Sequence, residues 1–251
     1  MRFNNQRQQE VDYTLVVKNL IKLASIIFII IVVINYFFPG FLPLTVFELW
    51  NAHGTVLEWL IAAWPIFAWG AGVTACASFL TKNDYLKNMQ AEKIFSKNVI
   101  ISFLAGIFEE ISFRWIFFLG AFAGVQVANF LFFGFIGFGL TEWLYIHAFG
   151  PIANFFTFGK MEHILFHTSG WMVGAALLSI NARFRNGHTY LGPIGYINSW
   201  FVGMFLFWMT FQYGLLASII THFVYDFLIF FVKYIDSMFE RFAIKRKGER
   251  N

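Results

Sequence analysis

Residues 106–118 read GIFEEISFRWIFF: two adjacent glutamates and an arginine inside a run that is otherwise apolar enough to face lipid. An ionised carboxylate or guanidinium buried without a partner is costly, so such groups are rare at membrane depth and mark function when they occur. Helical spacing divides the three between two jobs. Glu110 and Arg114 are four residues apart, on one face, with the glutamate N-terminal to the base, which is the favourable order. Glu109 precedes Arg114 by five residues, a turn of about 500° at 3.6 residues per turn, which leaves it about 140° away around the axis. Glu110 and Arg114 therefore neutralise each other, and Glu109 is free to face another helix.

The rest of the chain agrees with a membrane setting. Of 251 residues, 59% are hydrophobic, 22% aromatic and only 13% charged, and the mean hydropathy is +0.64. A soluble domain carries about 25% charged residues, so a water-soluble globular protein is excluded. A spanning helix needs roughly 20 mostly apolar residues, and windows at 20–38, 56–80, 99–119, within 121–149, 164–182, 194–211 and 214–236 supply them. The first, Leu20 to Phe38, is too long for a signal-peptide core and lacks a small-residue cleavage site, so it reads as a span. Between the second and third, TKNDYLKNMQAEKIFSKN is a polar loop or interfacial helix. Cys76 is the one cysteine, which rules out a disulfide framework. The formal net charge of +4 is the usual basic excess of cytoplasmic loops, with no nucleic-acid patch.

Charge placement constrains the topology. Sixteen of the eighteen Lys and Arg residues fall at 1–22, 82–97, Arg183 with Arg185, and 233–250, while the loop 39–55 has none. The positive-inside rule puts all four clusters in the cytoplasm. Seven simple spans would place the two basic ends on opposite sides. Residues 121–149 resolve the parity, because glycines at 134, 137 and 139 interrupt the segment, each lowering helix propensity by about 1 kcal/mol. The expectation is an all-α polytopic bundle of about 7–8 spans, with both termini cytoplasmic and 121–149 forming two passes or a re-entrant hairpin.

Two histidines are candidate partners for Glu109. SIITHFVYDFLIFF carries His222 and Asp226 at i and i+4, so the carboxylate can hold the imidazole N–H and raise its basicity. NARFRNGHTYLGP places His188 at the end of another span, four residues after Phe184. A glutamate and two histidines converging in a shielded cavity are suited to binding and deprotonating a water, with or without a metal. Glu109-Glu110-xxx-Arg114, Phe184-xxx-His188 and His222-xxx-Asp226, in that order, resemble the EExxxR, FxxxH and HxxxN/D motifs of the CPBP intramembrane proteases. That group contains the type II CAAX prenyl endopeptidases and bacteriocin-processing or immunity proteins, and the resemblance covers about residues 99–230. It implies Glu109 as general base, His188 and His222 holding the water or a metal, Asp226 orienting the last site, and Glu110 with Arg114 fixing the helix or assisting the oxyanion. A divalent metal such as zinc and a metal-free, glutamate-activated water both stay open. RFRNGH departs from the apolar run that usually surrounds the family's second motif. The 79 residues between Glu109 and His188 also exceed a single crossing, by an amount that matches the inserted hairpin.

The resulting expectation is an intramembrane endopeptidase acting on membrane-associated or lipid-modified peptides, multi-pass in the plasma membrane of a prokaryotic cell. Its partners would be membrane lipids and a peptide or protein substrate. Residues 1–98 form a two-span N-terminal region, 99–236 the catalytic helical core, and 237–251 a basic cytoplasmic tail that touches anionic lipid. Two other classes compete: a non-catalytic immunity or scaffold protein of the same fold, and a proton-coupled transporter, which would more often show internal repeats. A rival site is His163 with His167 in MEHILFHTSGW, at metal-ligand spacing on one helix face with Glu162 nearby.

Overall fold

The computed structural model describes residues 13–42, 44–80, 91–134, 137–166 and 171–248, and every regular element among them is helical. The basic residues before 13, residues 81–90, His167 and the last three residues lie outside the described residues. Helix α1 spans Tyr13–Phe37, α2 Val56–Ala62, α3 Trp64–Leu80, and α4 Ala91–Glu110. A π-helical stretch, Ile111–Phe117, leads into α5, Phe118–Ala128, and a second one, Asn129–Gly134, follows. After a turn come α6 (Leu140–Leu144), a third π stretch (Tyr145–Phe149), α7 (Gly150–Phe156) and the short α8 (Glu162–Leu165). Helices α9 (Trp171–Gly187), α10 (Gly192–Tyr213) and α11 (Leu215–Gly248) complete the bundle.

The distribution of side chains is that of a protein whose solvent is apolar. Phe130, Phe132, Phe155 and Ile29 lie on the surface, while Arg114 and Glu110 are wholly buried. In water this inversion would leave large apolar patches exposed. Among the described residues four helical stretches are long and apolar enough to cross a membrane: Lys18–Phe37, Ser102–Phe132, Thr189–Tyr213 and Leu215–Asp236. A fifth arises if α2 and α3 count as one span bent by 52°. The bend falls where Pro65, in the first turn of α3, cannot donate to the turn before it. Helix α2 opens with a capping box in which the Thr55 hydroxyl accepts from the Glu58 backbone N–H and the Glu58 carboxylate accepts from that of Thr55.

Three differences from the sequence reading have local causes. The segment 99–119 does not end at 119, because its helix continues to Phe132. The break expected within 121–149 falls at Phe138 and Gly139, both in the left-handed region with φ 49° and 76°. Beyond it α6, the third π stretch and α7 form one arm, 140–156. Helix α9, at 17 residues, starts at Trp171 rather than 164 and rises about 26 Å, a little under the roughly 30 Å hydrocarbon core.

Side-chain contacts give the helix directions. Asn198 bonds Tyr225 near one end of the α10–α11 hairpin, and Ser218 Oγ lies 3.1 Å from the Leu206 carbonyl oxygen further along, so these helices are antiparallel. Helix α4 is also antiparallel to α11, with Phe103 against Phe223 and Glu110 against Ser218 and His222. Asn181 to Trp200 and Asn186 to Tyr196 make α9 antiparallel to α10. Trp59 packs near Ala217 and Gly70 near Tyr225, so α2 and α3 run with α11. One end of the bundle therefore gathers Arg183, Arg185, Lys233 and the flanks of 81–90. The other holds the loop after α1, where the His53 N–H donates to the Tyr213 carbonyl.

Candidate functional site

The site is built where α4 meets α11. Gly106 allows the close approach: a Cβ there would lie 3.2 Å from the Ile219 carbonyl oxygen and 3.3 Å from the Phe223 nitrogen. With the backbones this near, the Glu110 carboxylate crosses to α11. Its Oε1 accepts from His222 Nδ1 at 2.8 Å and faces Arg114 Nη1 at 3.2 Å, and its Oε2 accepts from the Ser218 hydroxyl. Two hydrogen-bond donors and a guanidinium at ion-pair distance stabilise an ionised carboxylate in a dry interior. Both Glu110 oxygens are therefore held by the helices around them.

Arg114 lies in the π-helical stretch Ile111–Phe117, where i→i+5 bonding replaces the ordinary helix; such bulges recur at functional sites. A plain helix was the sequence expectation, and the ion pair with Glu110 survives the change. Beyond that pair none of its three nitrogens has a hydrogen-bond partner. Aromatic faces take that place: its Cζ lies 4.1 Å from the centroid of Phe184 and 5.3 Å from that of Phe207.

Glu109 occupies a different environment one residue earlier. Its side chain is 27% exposed, and its Oε2 has no hydrogen-bond partner among the described residues. Facing it at 3.9 Å is His188 Nε2. The other ring nitrogen, Nδ1, sits 2.8 Å from the Phe184 carbonyl oxygen, which only accepts, so Nδ1 carries the proton. In the neutral imidazole Nε2 is then an acceptor aimed at a second acceptor. The 3.9 Å gap is too long for a direct hydrogen bond. A water donating one proton to each group satisfies both.

All six predicted site residues thus come to one region, but their pairing differs from the expectation. His222 is bound to Glu110 and lies 3.7 Å, through Nε2, from Asp226 Oδ2, whereas Glu109 pairs with His188. Phe184 connects the two halves, its ring 4.6 Å from that of His188 and 6.2 Å from that of His222. Taken together the region holds three carboxylates, one guanidinium and two imidazoles. Ser218 and Phe207 were not singled out from the sequence. A signal for Ser218 exists, since Ser218, His222 and Asp226 recur every four residues and mark one polar stripe on α11. Phe207 is one phenylalanine among 36, and nothing in the pattern distinguishes it.

A metal centre needs about three protein ligands around one ion. Among the described residues no group of three or more His, Cys, Asp or Glu side chains is arranged to hold one. His222 has Nδ1 committed to Glu110, and Glu109 with His188 supplies two donors. The candidate set does not fit zinc in this arrangement. His163 is exposed on α8 and its spacing partner His167 lies outside the described residues. No family model, curated protein or solved structure matches the chain.

Proposed function

We propose that the chain is an intramembrane endopeptidase that hydrolyses a peptide bond with a water held between Glu109 and His188. The observation that carries this reading is the approach of Glu109 Oε2 to His188 Nε2 at 3.9 Å, between two partly exposed side chains beside the buried Glu110–Arg114 pair. The ordered likeness of the three motifs to the CPBP proteases supports it. In the reaction Glu109 takes one proton from the water as its oxygen attacks the substrate carbonyl carbon. His188 accepts the water's other hydrogen bond and orients it. Glu109 then passes its proton to the departing amine nitrogen as the C–N bond breaks. Glu110, Arg114 and Ser218 hold α4 against α11, and Asp226 flanks His222.

The topology that accompanies this reading has six crossings, by α1, α2 with α3, α4 with α5, α9, α10 and α11, plus a re-entrant excursion through 140–166. The re-entry is supported by Tyr145, near the start of the arm, whose hydroxyl donates to the Leu165 carbonyl and whose ring meets Trp171. The chain thus returns to the level it left. An even count puts both termini in the cytoplasm, with the basic end and the Glu109–His188 cleft on that side.

The test is hydrolysis in ¹⁸O-labelled water. Purified protein in liposomes is incubated with a library of membrane peptides, and products are read by mass spectrometry. Cleavage with label in the new carboxyl terminus is expected from the wild type and not from Glu109→Gln. A Glu109→Gln protein that cleaves at the wild-type rate overturns the assignment, and a library left intact by the wild type favours the scaffold reading. Reporter fusions at residues 1 and 251 that report opposite sides would overturn the topology.

A further inference from the structure

Away from the site, α1, α5 and α9 enclose a groove of about 320 Å³, within the roughly 300–1,000 Å³ range of small-molecule sites. Helix α1 touches α5 where Ile27 meets Gly120, since a Cβ on that glycine would come within 2.7 Å of the isoleucine methyl. Beside this contact the small side chain of Ala121 leaves the helices apart, and Ile31 and Ile180 form opposite walls. The lining runs along α1 from Leu23 to Ile34, about 17 Å at 1.5 Å per residue. Every lining side chain is apolar except one, Arg183 of α9.

Arg183 is exposed, and among the described residues no acidic side chain pairs with it. Its neighbour Arg185 is occupied, stacked 4.4 Å above the Tyr196 ring and bonded to Asn186. An unpaired cation at the rim of an elongated apolar groove, on the basic end of a bundle surrounded by lipid, complements a molecule with a long hydrocarbon chain and an anionic head. We propose that this groove binds an anionic phospholipid, with one acyl chain along α1 and the phosphate on Arg183. A free phosphate would leave the apolar walls unused. A zwitterionic lipid would bring its own cation toward Arg183.

Thermal unfolding of detergent-purified protein tests the site with three probes: phosphatidylglycerol, phosphatidylcholine of the same acyl chains, and inorganic phosphate. Phosphatidylglycerol is expected to raise Tm by several degrees, phosphatidylcholine by clearly less, and phosphate not at all. Arg183→Glu should erase the difference between the two lipids, whereas Arg185→Glu should keep it. Ala121→Phe, which fills the groove, should reduce the response to both lipids. Should that variant fail to fold, Ile30→Trp on the open side of the groove serves the same purpose. Equal shifts from both lipids in the wild type, an equal shift from phosphate alone, or an Arg183→Glu protein that still prefers phosphatidylglycerol overturns the proposal. Peptidase activity is not the readout, so the result stands apart from the catalytic reading.

Discussion

Glu109 and Glu110 are consecutive residues with the same side chain, and the fold treats them in opposite ways. Glu110 points into the α4–α11 seam, where a serine, a histidine and an arginine surround it and no solvent reaches it. Glu109 points into a cleft toward a histidine that it does not quite touch. The difference shows where each kind of polar group belongs in an apolar solvent. A fully partnered carboxylate serves as a rivet between helices, whereas an incompletely partnered one holds capacity for a reacting molecule.

The comparison breaks most visibly at Arg114. Truncation to Ala strands Glu110 as a buried anion, and removing one partner of a buried pair costs about 3–5 kcal/mol. Thermal unfolding in a fixed detergent should register a large drop in Tm for Arg114→Ala. The double variant Glu110→Leu with Arg114→Met should recover part of the loss, since apolar replacement of a buried pair is often tolerated. Recovery should be incomplete, because Ser218 and His222 would then lack their shared acceptor. An Arg114→Ala protein as stable as wild type would show that the seam does not rest on this pair.

Ser218 probes the same seam more gently. Its hydroxyl donates to a charged oxygen, a class of bond worth about 1.5–3 kcal/mol, so Ser218→Ala should lower stability by that amount. Unfolding measurements that detect no change would mean that Glu110 is adequately held by His222 and Arg114 alone.

How much of this was legible beforehand follows from what each signal is made of. The membrane setting, the helical class and the six polar residues depend on residue type and local spacing, which sequence carries directly. The Glu110–Arg114 pair is one helical turn apart, so it too was readable. The pairing of His222 with Glu110 rather than Glu109 was not, because it depends on which face α4 turns toward α11. That rotation is set by the close approach at Gly106 and by the π-helical stretch that follows, neither of which periodicity reveals. Of the glycines at 134, 137 and 139, the first still belongs to the π-helical stretch and the last lies in the left-handed turn. The long continuation of α5 before it was hidden, since an uninterrupted apolar run does not show where one helix stops being a span.

The turn at Phe138 and Gly139 offers a contrast with the seam, because there the backbone rather than a polar contact limits stability. Phe138 is 98% exposed and holds φ 49°, a left-handed conformation that phenylalanine adopts at a cost. Phe138→Gly relieves that strain and should stabilise the fold in detergent by about 0.5–1 kcal/mol, less the added entropy of a glycine in the unfolded chain. If unfolding measurements in lipid bilayers show a loss instead, the ring is anchoring the hairpin in the interface and its exposure is occupied by lipid.

The smallest stability effect, and the sharpest division between the neighbouring glutamates, is expected at Glu109. Gln preserves the shape and one acceptor oxygen but cannot take a proton at neutral pH. The Glu109 side chain is 27% exposed and His188 Nε2 lies 3.9 Å away, beyond hydrogen-bond reach, so little folding energy depends on its charge. Glu109→Gln should therefore melt within about 0.5 kcal/mol of wild type, as substitutions outside tight packing and buried networks do. Activity should behave differently, since a positioned general base contributes about 10²–10⁴-fold to rate. A Glu109→Gln protein that is as stable as wild type and slower by that factor separates the two carboxylates by function. One that is strongly destabilised would place Glu109 in the same structural role as Glu110. The cleft would then be a second seam that the fold leaves slightly open, and the peptidase reading would lose its base.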